Sequence, residues 1–134
     1  MEACVFCQIV RGEIPSWKVI ETKTTFAFFD INPVNEFHTL VIPKAHYADI
    51  FEVPEKVLLD VMSTVKGITN LFKAKLGITD VQIVNSSGAC AQQDVFHLHF
   101  HVLPRQENDG QDIQWETHPE YRERFDEWLT KLKD

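Results

Sequence analysis

The 134-residue chain has no apolar run near the ~20 residues that a membrane-spanning helix needs, so no membrane role is expected. Its opening, "MEACVFCQIV", lacks the basic start and small-residue cleavage site of a secretory leader, and the expectation is a cytoplasmic protein. Positive charge is scarce: 13 Lys and Arg against 20 Asp and Glu leave a net charge of −7. No Lys/Arg cluster is dense enough to neutralise a nucleic-acid backbone, which argues against nucleic acid as a partner. One small phosphorylated ligand is not excluded, since a few dipoles can hold it. Cysteine numbers only three. An odd count argues against a disulfide framework, and an intracellular pair is more often a metal or redox site. No internal repeat, low-complexity tract or Gly/Ser linker divides the sequence, so residues 1–134 read as a single domain.

Core material, by contrast, is ample. The hydrophobic fraction is 44% with ten Phe, and a chain of this length buries roughly two thirds of its unfolded surface. "SWKVIET" (16–22) and "TTFAFFD" (24–30) read as strands joined by a turn at Lys23, and "INPVN" (31–35) as a loop. "HTLVIP" (38–43) is a nearly continuous apolar strand, which predicts burial on both faces. Between Pro54 and Leu76 the spacing of Val57, Leu58, Val61, Val65, Ile68, Leu71 and Phe72 changes to three and four, predicting an amphipathic helix that Gly77 ends. "DVQIVN" (80–85) returns to a strand, the loop "SSGACAQQD" follows, and "VFHLHFHVLP" (95–104) reads as the longest strand. A second helix is predicted over 119–133. The order β-β-β-α-β-β-α indicates an α+β domain: a meandering antiparallel sheet of about five strands covered on one face by helix.

Half of the six histidines, His97, His99 and His101, alternate in the last strand. Alternate strand residues share a face about 6.6 Å apart, so the outer two would be about 13 Å apart. One metal with bonds of about 2 Å cannot take all three. Leu98, Phe100, Val102 and Leu103 would then point into the core, and the histidines must divide the labour. Imidazoles satisfied by local hydrogen bonds, or chance metal affinity, are the plainer explanations, and neither accounts for strict alternation on an apolar-backed strand. Cys4-Val5-Phe6-Cys7 is a C-x-x-C, by itself a zinc half-site, a redox pair or chance. A thioredoxin-like context for the redox option is missing.

His97-Leu98-His99-Phe100-His101-Val102-Leu103 fills the H-φ-H-φ-H-φ-φ signature of the histidine-triad (HIT) family, φ being apolar. "CVFCQIVRGEIPSWKVIE" and "FAFFDINPVNEFHTLVIPKAHY" also resemble that family, in the same order, so the resemblance spans roughly residues 4–105. It is nearest to the nucleoside phosphoramidase-like branch in its zinc-containing bacterial-type form. The resemblance implies hydrolysis or transfer of a nucleotidyl group, such as AMP joined to an amine, acyl group or further phosphate, from a purine nucleotide substrate. It makes His99 the nucleophile that forms a covalent nucleotidyl intermediate, with His101 at the phosphate or leaving atom and His38 in support. Neutral imidazole, with a reference pKa of about 6.5, has a free lone pair at neutral pH. The nucleophile's other nitrogen must be held as a donor, most simply by a backbone carbonyl.

By the same likeness Val5, Phe6, Ile9, Phe28 and Ile31 sandwich the base, Asp30 binds the ribose hydroxyls and Asn85 contacts the ligand, while Gln93, just ahead of the triad strand, is a candidate for the phosphate cradle. The chain departs from the pattern at Gln92, where many relatives have Gly, and at Asp94, where they have a phosphate-contacting Ser. A carboxylate repels phosphate, so Asp94 is not expected as a phosphate ligand. In zinc-bearing relatives the ligands correspond to Cys4, Cys7, His46 and His97, a closed structural Zn2+ site that leaves His99 free. Cys90 and His118 receive no role. The alternatives are a dinucleoside polyphosphate hydrolase, a nucleotide-binding regulatory module without turnover, or a zinc-stabilised interaction protein. The family likeness also implies a homodimer, with which the aromatic tail beyond residue 105 (Trp115, Tyr121, Phe125, Trp128) is consistent.

Overall fold

The computed structural model describes residues 4–133. In chain order it contains helix α1 (Val5–Val10) and strands β1 (Lys18–Glu21), β2 (Thr25–Phe29) and β3 (Thr39–Pro43). Helix α2 (Glu55–Leu76), strands β4 (Val81–Val84) and β5 (Phe100–Pro104), and helix α3 (Phe125–Lys133) follow. The α+β reading holds, with one five-stranded antiparallel sheet. Its order is β1-β2-β3-β5-β4, so the meander stops at β3. Helix α2 carries the chain past one position, β4 forms the edge, and β5 returns between β3 and β4.

Strand alternation sorts the side chains between two cores. Ala27 of β2, Val41 of β3, and Phe100 and Val102 of β5 pack with Val61, Val65, Ile68 and Phe72 of α2. Phe26, Phe28, Leu40 and Ile42 point the other way and pack with Phe6 and Ile9 of α1. This is why β3 is buried along its whole length. It also corrects the expectation of helix on one face only: the short α1, which the sequence reading did not include, covers part of the second face. Its signal was present in Val5, Phe6, Ile9 and Val10, an apolar repeat too short to stand out beside the cysteines. Cys4 caps it, accepting the Cys7 amide at its sulfur.

Helix α2 ends as expected: Gly77 adopts φ 68° and its amide bonds the Lys73 carbonyl. The last strand is shorter than expected. It begins at Phe100 rather than at residue 95, because its partner contacts reach only Val41 on β3 and Val84 on β4. Upstream, other groups satisfy the backbone: the Leu98 amide donates to the Tyr47 carbonyl and the Asn85 side chain donates to the His99 carbonyl. Leu103, expected in the core, lies on the other face and is only half-buried. The 119–133 helix divides into a 3-10 segment (Pro119–Arg124) and α3, with none of their residues buried. The aromatic side chains there pack on one another, Tyr121 edge-on and Phe125 tilted against Trp128. Among the described residues no helix is long and apolar enough to cross a membrane.

Two neighbouring positions on α2 should respond in opposite directions. Ile68 is fully buried beneath the sheet, so Ile68→Ala should cost about 2–5 kcal/mol in urea unfolding. A Cβ at Gly67 would find only the Ile20 Cδ1 at 3.9 Å, so Gly67→Ala should add about 0.5–1 kcal/mol by removing a helix-interior glycine. Equal urea midpoints for the two variants would contradict this packing.

Candidate active site and metal cluster

Four soft donors meet where the start of α1, the loop after β3 and the approach to β5 come together. Cys4 Sγ and Cys7 Sγ lie 3.4 and 3.6 Å from His97 Nδ1. His46 Nδ1 lies 3.4 Å from Cys7 Sγ and 3.2 Å from His97 Nδ1. All four ligand atoms are mutually within 4.8 Å. A tetrahedral ion with bonds of about 2.0–2.3 Å holds its ligands about 3.3–3.8 Å apart, so these residues could hold a metal. The protons agree with the distances. His97 is fully buried, and its Nε2–H donates to the Pro43 carbonyl at 2.9 Å, which leaves the Nδ1 lone pair facing the cysteines. Burial is also the main cause that lowers the His97 pKa to about 4, and the main cause that raises the Cys7 thiol.

Beyond this cluster lie His99, His38 and His101, each held by its own hydrogen bonds. His99 is buried and its Nδ1–H donates to the His97 carbonyl at 2.8 Å. Its Nε2 makes no hydrogen bond among the described residues, so that atom carries the free lone pair. His38 Nδ1 accepts the Val34 amide at 3.2 Å, which assigns the His38 proton to Nε2. That proton is donated to His101 Nδ1 at 2.8 Å, and His101 is left with an N–H at Nε2. Burial lowers the pKa of His38, against the pull of Asp30, and lowers that of His101 to about 4, with His99 and His38 adding to the shift. Asp30, His38 and His101 also cluster closely enough for an ion. The proton on His38 Nε2 faces His101, however, and this is a hydrogen-bonded pair rather than a ligand set.

His99 and His101 open onto a cavity of about 230 Å³. Val5, Phe6, Ile9, Phe28, Asp30 and Ile31, expected from the sequence around base and ribose, are among the residues that line it. The Phe6 ring meets the His99 ring edge-on at 5.2 Å and the Phe28 ring at 5.5 Å. Asp30 Oδ1 accepts the Asn32 amide at 2.8 Å, and Oδ2 lies 3.6 Å from His38 Nε2. His38 itself stands behind His101, outside the lining.

Asn85 and Gln93, expected at the phosphate, are not among the residues that line this cavity. Asn85 holds the His99 carbonyl at 3.0 Å and accepts from Ser87. Gln93 is buried, donating to the Ala48 and Val95 carbonyls and accepting the Gly88 amide. Both side chains are committed to the backbone around the triad. Asp94, set aside in the sequence reading, does line the cavity, with its Oδ1 3.9 Å from His99 Nε2. Ile14, Pro15, Leu40 and Val95 complete the apolar wall and went unread, because each looked like ordinary core or loop. A second cavity of about 240 Å³, between the end of α2 and Arg105, contains no histidine or cysteine.

Comparison with known proteins agrees with this arrangement. The HIT domain description matches residues 11–108. The chain is 40% identical over 114 residues to adenosine 5'-monophosphoramidase HNT1 of Saccharomyces cerevisiae, an alignment covering 84% of this chain and 70% of that one. A crystal structure of a HIT family protein from Bacillus anthracis matches with a TM-score of 0.90 at 36% identity, over 98% of this chain and 95% of that one. A Zn-bound histidine triad family protein from Mycobacterium smegmatis matches with a TM-score of 0.78 at 31% identity, over 97% and 95%. The chain belongs to the histidine-triad (HIT) family.

Proposed function

We propose that the protein hydrolyses nucleotidyl P–N bonds, releasing an amine from AMP or a related purine nucleotide, through a covalent intermediate on His99. The observation that carries this reading is the free Nε2 of a buried His99, opening onto a cavity, with the Nδ1 proton committed to a backbone carbonyl. The yeast relative's description as an adenosine 5'-monophosphoramidase supports the substrate class. The base would lie among Phe6, Ile9, Phe28 and Ile31, with the Asp30 carboxylate accepting from the ribose hydroxyls.

With phosphorus about 3–3.5 Å from Nε2, the His99 lone pair forms an N–P bond as the P–N bond to the leaving group breaks. The bonding pair departs on the amine nitrogen, which takes a proton from solvent. The His101 Nε2–H donates to the phosphoryl oxygens as their charge grows, and His38 keeps that proton in place by filling His101 Nδ1. Water then attacks the same phosphorus and gives up a proton to solvent. The His99–phosphorus bond breaks, and the nucleotide and the original imidazole are regenerated.

Cys4, Cys7, His46 and His97 would hold a structural Zn2+ that ties α1 to the loop after β3 and to the triad segment. The spacing of the donors and the Zn-bound Mycobacterium smegmatis relative support this. The open edge of β4, with Ile83 exposed, and the exposed Leu59 and Met62 of α2 favour a second copy of the chain as partner.

Three outcomes are expected. His99→Ala should lower kcat/KM on an adenosine phosphoramidate by about 10³-fold or more, while calorimetry shows AMP still bound; wild type no faster than buffer would refute the catalytic reading. Purified protein should carry about one zinc per chain by atomic absorption, and Cys7→Ser should lose it together with several degrees of Tm. A zinc content near zero after refolding with zinc would remove the metal assignment. Finally, His101 titrates at about 4 in the folded chain and near 6.5 when unfolded. Between those values the unfolded chain binds more protons, so stability falls as pH drops from about 6.5 to 4. The urea midpoint should decline over that window, and less steeply in His101→Gln.

A further inference from the structure

The cavity contains an electrostatic imbalance that the catalytic steps do not use. Among the described residues its lining includes two carboxylates, Asp30 and Asp94, and no Lys or Arg. His101 contributes no compensating charge, because burial keeps it neutral down to a pH of about 4. The whole chain adds a background of −7. Asp30 is occupied locally by the Asn32 amide and faces His38. Asp94 is different: its side chain is 84% exposed at the mouth, it accepts no hydrogen bond among the described residues, and it stands 3.9 Å from the proposed nucleophilic nitrogen. A phosphoryl group seated for attack by that nitrogen lies within a few ångströms of this carboxylate, and so does whatever is attached to the phosphorus.

We propose that Asp94 sets leaving-group specificity, selecting nucleotidyl substrates whose departing amine carries positive charge and disfavouring those whose leaving group is anionic, such as a further phosphate chain. The proposal rests on the P–N hydrolase reading above and narrows its substrate class. The physical basis is Coulombic. At about 6 Å, in a medium between protein surface and bulk water, one unit charge on the leaving group changes the interaction with a carboxylate enough for roughly a three- to tenfold effect. An ammonium gains that factor and a carboxylate or phosphate loses it. A polyphosphate leaving group, with several negative charges and no lining cation to meet them, is penalised repeatedly.

The test uses three AMP phosphoramidates made from 1,3-diaminopropane, 3-aminopropanol and β-alanine, which present a distal ammonium, hydroxyl and carboxylate on matched chains. For wild type the order of kcat/KM should be diamine, then alcohol, then acid, with roughly three- to tenfold between steps and smaller gaps at 0.5 M salt. In Asp94→Asn the three values should converge to within about twofold. Glu116→Gln, which removes one exposed charge outside the cavity, should preserve the wild-type order. The ratio is the readout, so a general loss of activity in Asp94→Asn does not blur it. An unchanged ratio in Asp94→Asn, or equal rates for all three in wild type, overturns the proposal. If wild type cleaves none of them, the hydrolase reading fails, and the charge effect is then decided by binding. Asp94→Asn should raise affinity for AMP over adenosine by roughly three- to tenfold, and an unaltered AMP-to-adenosine ratio overturns the role of Asp94.

Discussion

The hydrogen bond from His97 Nε2 to the Pro43 carbonyl is the contact on which the rest of the site depends. It joins the end of β3 to the approach to β5 at a fully buried position and decides which way the His97 ring presents its two nitrogens. With Nε2 spent as a donor, Nδ1 has a lone pair for the cysteines of α1 and for His46. The backbone carbonyl of the same residue receives the His99 Nδ1 proton. One residue thus anchors the segment that carries Phe6 and Ile9 to the cavity wall and fixes the tautomer of its neighbour two positions on. Loss of the His97 ring would loosen both together, and structural and chemical roles at this position are not separable by position in the sequence.

The elements that were legible from sequence are those whose pattern is long or repeated. Seven apolar residues at helical spacing made α2 plain, and the continuous apolar run of β3 foretold burial on both faces. Helix α1 is a turn and a half long, and no isolated segment of that length generates enough local signal to be read. Its stability comes from packing Phe6 and Ile9 against Phe28 and Leu40 on the sheet, which is tertiary information. The start of β5 was misread for a related reason. Residues 95–99 have the alternation of a strand, but alternation does not reveal whether a neighbouring strand extends that far, and here the ladder ends at Phe100.

The site divides along the same line. His38, His99 and His101, singled out for their ring chemistry, lie side by side. Asn85 is expected at the ligand because it matches a family position that contacts it, and Gln93 because it lies just ahead of the triad strand. A polar side chain beside an irregular segment has a competing duty, since buried backbone groups outside a sheet need partners. Both are absorbed by that duty, Asn85 at the His99 carbonyl and Gln93 at three backbone groups. Asp94, not expected as a ligand because a carboxylate repels phosphate, has no such duty among the described residues and lies 3.9 Å from the open nitrogen.

The alternating histidines therefore do not form a row of equivalent groups. In a regular strand they would share one face and compete for one ligand. The break before Phe100 lets His97 turn toward the cysteines, while His99 and His101 keep their rings 5.1 Å apart at the cavity. Burial holds His38, His97 and His101 neutral near pH 7, and a neutral imidazole has one donor and one acceptor that cannot both be chosen freely. Each ring has one nitrogen committed to a fixed partner: Pro43 for His97, the His97 carbonyl for His99, and His38 for His101. The remaining nitrogen is thereby a lone pair toward the cysteines, a lone pair toward the cavity, and an N–H. Proximity alone would have allowed several assignments. The backbone carbonyls and the Val34 amide remove all but one, so the same side chain, repeated three times, presents a different atom to a different neighbour each time.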